Sequence, residues 1–99
     1  MSIDMQADVS VGETLKDLLE KHNITQIKLA TVIGVRAKII TALCHDRKRV
    51  TTEIAIILSK VFNTEIEYWV NLQMMSDLTK IRKDPSKIAK VRKIKRLVR

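Results

Sequence analysis

The 99-residue chain is expected to be an all-α protein of five short helices with a basic C-terminal tail, and three observations carry that expectation. It holds only two glycines and one proline, too few for the turns a sheet protein needs. Apolar residues recur at helical spacing, as at Leu15, Leu18 and Leu19. Residues suited to helix caps stand just ahead of several such stretches. With three aromatics in a chain that is 45% hydrophobic, the core has to come from Ile, Leu, Val, Ala and Met. A chain this short buries only about two-thirds of its unfolded surface, so a second copy would help to stabilise it.

Residues 1–9 are polar and irregular and are expected to be a flexible N-terminal segment. Ser10 and Glu13 make an S-x-x-E capping box that opens helix one, which ends near His22 or Asn23. Thr25 caps the second helix, whose inward face is Leu29, Ala30 and Ile33. The stretch "LATVIGVRAKIITAL" then places Gly34 in the middle of an apolar run. Glycine inside a helix costs about 1 kcal/mol relative to alanine but takes the positive φ of a turn without strain, so a corner is the economical reading. Beyond it Ile40 and Leu43 face the core, while Arg36, Ala37, Lys38, Thr41 and Ala42 look elsewhere. Asp46 is placed to take a left-handed conformation, and Thr51 caps a fourth helix through Ile54, Ala55, Leu58, Val61 and Phe62. Thr64 and Glu67 read as a second capping box opening helix five, through Tyr68, Trp69, Leu72, Met75 and Leu78. Pro85 breaks the pattern, and Ile88, Val91, Ile94 and Leu97 then recur every third residue as a weakly amphipathic tail.

Charge is divided unevenly. Residues 80–99 hold ten Lys or Arg against Asp84 alone, a net +9, whereas residues 1–79 hold nine against ten acids, a net −1. The overall +8 points to a polyanionic partner. An enzyme is not expected: Cys44 has no second cysteine, it and His45 project about 100° apart on a helix, and His22 is the only other histidine. No metal and no cofactor are expected, since a glycine-rich phosphate loop is also absent. With no leader pattern and no apolar run near the roughly 18 residues a membrane span needs, the chain is read as cytoplasmic, with no membrane partner.

A short helix, a glycine corner and a second short helix with polar residues at its start is the helix-turn-helix plan. The first helix of such a pair crosses the phosphate backbone and the second enters the major groove. Arg36, Lys38 and Thr41 are then candidate groove contacts, "RKR" at 47–49 a candidate phosphate clamp, and Gln26 a phosphate donor at a helix start. "TQIKLATVIGV", followed by Ile40, Leu43 and "RKRVT", resembles the lambda-repressor-like XRE family of helix-turn-helix proteins. The longer frame from "GETLKDLLEKHNITQIKLA" to "EYWVNLQMMSDL" resembles its HigA branch of antitoxins, also labelled virulence-associated protein I. The most specific part is the W-x-N-L-Q-x-x-x-D-L run at Trp69, Asn71, Leu72, Gln73, Asp77 and Leu78.

The resemblance implies a five-helix domain over residues 10–80 that binds DNA and dimerises, with a basic tail over 81–99. It implies a homodimeric repressor that binds a palindromic operator in its own promoter and neutralises a toxin of the HigB ribonuclease type. By matching motif positions, Gln26 holds a phosphate, Arg36, Ala37, Lys38 and Thr41 lie at the groove, and Arg47 and Lys48 clamp the backbone beyond. Four positions depart from the family pattern: Arg36 stands where Ser or Pro is usual, Asp46 for glycine, Val11 for proline and Ser76 for an aromatic. Two rival readings remain open at this stage, a phage-like repressor without a toxin and a toxin-sequestering protein with weak DNA binding. Tyr68, Trp69, Leu72 and Met75 are the candidate dimer or partner surface, with an intrachain core the alternative for Trp69. The tail is read as a nucleic-acid arm, a segment that folds on an acidic partner, a membrane binder, or a solvated end.

Overall fold

Three hydroxyl side chains set the starts of helices. Ser10, Thr25 and Thr51 each accept the backbone N–H three residues on, at 3.1, 3.0 and 3.2 Å. The computed structural model describes residues 8–98, and among these it forms six helices and no strand. They are α1 (Val11–Lys21), α2 (Gln26–Ile33), α3 (Ala37–Cys44), α4 (Thr52–Phe62), α5 (Ile66–Arg82) and α6 (Pro85–Arg92). Asn23, Asp46 and Asn63 supply left-handed corners at φ 56, 57 and 54°, which is how a chain so poor in glycine turns between helices.

Gly34 is the corner the sequence called for. It ends α2 at φ 79°, and its N–H donates to Ala30 O at 2.9 Å. Nothing lies within 4 Å of where a Cβ would sit, so the positive φ alone makes glycine suitable there. Gly12 is required for the opposite reason. A Cβ on it would stand 2.5 Å from Cys44 O and 2.7 Å from Leu43 O, so α1 and the end of α3 meet backbone to backbone. Asp46 closes the same junction, its carboxylate accepting from Gly12 N at 2.9 Å and from the Ser10 hydroxyl.

The core runs through Leu15 and Leu19 of α1, Leu29 and Ala30 of α2, Ile40 and Leu43 of α3, Ala55 and Leu58 of α4, and Trp69 of α5. The second capping box is not formed. Thr64 N still donates to Ser59 O at 3.0 Å in the turn that ends α4, so α5 begins two residues later, at Ile66, with Glu65 in the cap position. The Thr64 hydroxyl instead accepts from Trp69 Nε1 at 2.9 Å, satisfying the indole of a fully buried ring.

The five-helix expectation also needs correction. α5 continues through Arg82, and a sixth helix lies within the segment expected to be a tail. Pro85 breaks α5 as expected, but it also occupies the first turn of α6, where its missing N–H has no partner to lose. Asp84 caps this helix, its carboxylate accepting from Ser86 N at 3.1 Å and Lys87 N at 3.4 Å, and Ile88 is buried. Of the N-terminal segment expected to be flexible, residues 1–7 lie outside the described residues, as does Arg99 of the tail. Asp8 and Val9 are held on α5: Asp8 pairs with Arg82 at 3.1 Å and Lys83 at 2.9 Å, and Val9 N donates to Thr79 Oγ1 at 3.0 Å. No helix among the described residues is long and apolar enough to cross a membrane.

The two glycines have different costs. Gly12→Ala forces backbone apart and should destabilise the fold by about 1–3 kcal/mol, whereas Gly34→Ala strains one φ angle and should cost about 1 kcal/mol. Urea denaturation of the two variants checks the order; a larger loss at Gly34 would contradict the α1–α3 contact.

Candidate nucleic-acid interface

Burial fixes which side of α3 is available. Ile40, Leu43 and Cys44 are buried, so Ala37 and Lys38 at the start of the helix lie exposed on the other side, and Arg36 is exposed at the cap. Arg36 makes no side-chain cap contact, which leaves the guanidinium on the surface where a Ser would have been drawn back to the helix N–H groups. Between residues 36 and 48 the sequence has four cations and one acid, Asp46, and that carboxylate is occupied at the start of α1. The face is therefore cationic, with Glu53 beside Lys48 at its edge.

Thr41 has a different place from the one expected. Its hydroxyl donates to Gln26 Oε1 at 2.7 Å, joining the middle of α3 to the first residue of α2. It forms a strut between the two helices. The contact holds the Gln26 carboxamide by its oxygen, and its Nε2 is the end able to donate to an anion. Gln26 also sits where the α2 dipole favours negative charge.

Arg47 and Lys48 are exposed immediately after α3. Their backbone N–H groups both donate to Ala42 O, at 2.9 and 3.3 Å, so what they offer outward is side-chain charge. Arg49, the third cation of this run, is committed within the chain. Its guanidinium donates to both carboxylate oxygens of Asp77 at 2.5 Å. Asp77 also accepts from Gln73 Nε2 at 3.0 Å, and Gln73 Oε1 accepts from Val50 N at 2.7 Å. Gln73 and Asp77 thus tie the 47–50 loop to α5. Sequence reading singled them out as family-specific but had no role for them, because their partners lie 23 and 28 residues away.

Burial of Asp77 pushes its carboxyl up, but hydrogen bonds from Arg49 and Gln73 and the charges of Arg49 and Lys80 outweigh it and hold the group below the usual carboxylate value. The hydrogen bond to Asp77, with its charge, raises Arg49 in turn. Cys44 is buried, and that burial pushes its thiol up, away from the thiolate a nucleophile needs. No group of His, Cys, Asp and Glu among the described residues could hold a metal ion.

The candidate partner surface divides. Trp69 is 0% exposed and belongs to the chain's own core, against Phe62 at 5.8 Å between ring centroids, so it is not available to a second chain. Leu72 packs on that core, while Tyr68 and Met75 are exposed. A separate stripe at intervals of four, Ile66, Val70 and Met74, is 39, 36 and 58% exposed along α5. Its spacing was visible in "IEYWVNLQM", but Trp69 dominated the reading.

The family model described as helix-turn-helix matches residues 15–69. Over 71 residues the chain is 37% identical to antitoxin HigA-1 of Vibrio cholerae, covering 71% of this chain and 67% of that protein. It is 34% identical over 67 residues to YbaQ of Escherichia coli, an uncharacterised helix-turn-helix-type transcriptional regulator, covering 68% of this chain and 59% of that one. The chain therefore spans less than two-thirds of the length of that relative. Its structure is similar to that of Pseudomonas aeruginosa antitoxin HigA with the higBA promoter, at a TM-score of 0.81 and 24% identity, covering 93% of this chain and all of the other. A second Pseudomonas aeruginosa protein, solved with 18 base pairs of its operator DNA, has a TM-score of 0.80 at 23% identity, covering 93% and 99%. At those identities the likeness is one of fold.

Because the folded value of Asp77 lies below its ordinary one of 3.8, its contribution to stability is present above that value and is lost as pH falls through the folded value. Acid titration of stability should show this loss below about pH 4, and Asp77→Asn should remove that part of the pH dependence. Identical acid profiles for the two proteins would refute the assignment.

Proposed function

Since the chain belongs to the helix-turn-helix family and to its HigA-type branch, we propose that it is a sequence-specific DNA-binding repressor that also acts as the antitoxin of a toxin–antitoxin pair. One observation carries the DNA-binding part: beyond the left-handed corner at Gly34, α3 buries Ile40 and Leu43 and turns Arg36, Ala37 and Lys38 to solvent. α3 lies in the major groove, where Arg36 and Lys38 donate to guanine O6 and N7, and the small Ala37 lets the helix approach base edges closely. Gln26 Nε2 donates to a phosphate on one side, and Arg47 and Lys48 grip the backbone on the other.

A palindromic operator is read by a homodimer whose recognition helices stand about 34 Å apart. The buried Trp69 moves the proposed dimer surface to the exposed α5 stripe of Ile66, Val70 and Met74, with Tyr68 and Met75 exposed on another side of the helix. Repression is by occlusion of the promoter. The antitoxin role is supported by the Vibrio cholerae relative's name and by the overlap of most of the chain with it; the partner proposed is a ribonuclease toxin of the HigB type, and the setting is the cytoplasm. Stoichiometric addition of this chain should abolish the ribonuclease activity of the toxin encoded beside it, and undiminished cleavage would defeat that half of the proposal.

The DNA half is tested by gel shift on the promoter upstream of the chain's own gene. Lys38→Ala should cost about 1–3 kcal/mol of specific affinity and relax preference at one base pair, while Arg47→Ala should weaken operator and random duplex alike. Thr41→Val should lower affinity for both by freeing Gln26, with less than about 1.5 kcal/mol change in stability. Equal effects of Lys38→Ala and Arg47→Ala on random DNA would overturn the division between reading and clamping.

A further inference from the structure

The strongest charged feature outside the helix-turn-helix is the C-terminal one, and the fold gives it a location. The Arg49–Asp77 pair sets α5 beside the loop that follows the recognition helix. Lys80 and Lys83, one and two turns further on, line a cleft with Ser10 and Glu13 at the start of α1, Asp46 just past α3, and Asp8, which pairs with Lys83 at 2.9 Å. From Asp77 to the cap at Asp84 is seven residues, about 10 Å of helix. α6 therefore starts beyond the end of α5, on the side of the body where α1 begins and Asp46 turns the chain after α3.

From residue 85 to residue 98 the chain has six cations and no acid. Among the described residues of α6, Ile88 is the buried one, while Lys87, Lys90 and Lys93 are exposed, as are Lys95 and Arg96 beyond the helix. Among the described residues these five enter no ion pair. With +9 on residues 80–99 against −1 for the rest, the net positive charge of this protein resides in this segment. A buried tether and outward cations describe a charged arm mounted on the body.

We infer that α6 and residues 93–98 form a second, sequence-independent DNA contact, which lies on phosphates flanking the site occupied by α3. α6 is eight residues, about 12 Å long, and duplex DNA presents one phosphate per about 3.4 Å of axis on each strand, so the arm reaches several phosphates. Its exposed apolar residues, Val91, Ile94 and Leu97, are aliphatic and include no aromatic anchor, which disfavours insertion into a lipid interface. The inference rests on the DNA-binding reading above for the position of the duplex, and it adds a contact that reads charge alone.

The test uses the full chain with Lys87→Gln, Lys90→Gln, Lys93→Gln and Lys95→Gln combined, its helicity checked by circular dichroism. Binding is measured by anisotropy at several salt concentrations, on the promoter fragment and on a random duplex of equal length. Expected are a loss of at least about tenfold on both, a salt slope shallower by about 2 or more, and an unchanged preference for promoter over random duplex. The matching Lys→Arg variant should bind as the wild type does, because charge and not shape is at issue.

Unchanged affinity and slope on the random duplex would overturn the inference. So would binding to phosphatidylglycerol vesicles that depends on the four lysines while DNA binding does not. A wild-type chain that binds both duplexes equally, yet loses that binding in the Gln variant, would instead count against sequence reading by α3 and leave the arm standing.

Discussion

The Asp46 carboxylate, held between Ser10 and Gly12 at the start of α1, is the contact on which the geometry of the proposed DNA face depends. It joins the first helix to the residue just past the recognition helix, across 34 positions of sequence. Gly12 makes the junction possible because a side chain there would meet the carbonyls of Leu43 and Cys44. The carboxylate makes it favourable, since an anion is well placed at a helix N-terminus and supplies an acceptor to otherwise unpartnered N–H groups. A glycine at position 46, usual in the family, could make the left-handed turn but could not supply that acceptor. The departure seen in sequence is thus also a gain of an interaction.

Two further polar contacts set the remaining freedom of the face. Thr41 to Gln26 fixes α3 against α2, and the Gln73–Asp77–Arg49 network fixes the loop after α3 against α5. With Asp46 they hold the recognition helix at its middle and at its end, while its start, with Arg36 and Lys38, projects beyond the Gly34 corner. A face held this way presents its donors with little rotational freedom left to lose on binding, which is the physical content of preorganisation. The same economy explains Arg49: of three adjacent cations, one is used to position the loop and two remain for a polyanion.

Much of the fold was legible because its signals are local. Hydroxyl caps at Ser10, Thr25 and Thr51, the glycine corner, the left-handed Asp46 and the break at Pro85 each act within three or four residues of themselves. Errors arose where two local signals competed. Thr64 matched a capping pattern, but the preceding turn retained its backbone and the buried Trp69 took its hydroxyl. The C-terminal segment read as a tail because its periodicity is weak, yet Asp84 caps a helix in it and Ile88 anchors that helix.

Sequence alone determined the helical class, the corner at Gly34, the exposed cations at Arg36, Lys38, Arg47 and Lys48, and the division of charge between body and C-terminus. These follow from residue type and spacing over short distances, where covalent geometry leaves few choices. Only the tertiary structure decided that Thr41 is a strut, that Arg49 is committed to Asp77, that Trp69 is core, and that a capped sixth helix docks through Ile88. Each of those outcomes depends on partners far apart in the chain, and a hydrogen-bond donor has no way of showing in sequence which distant acceptor folding will bring to it.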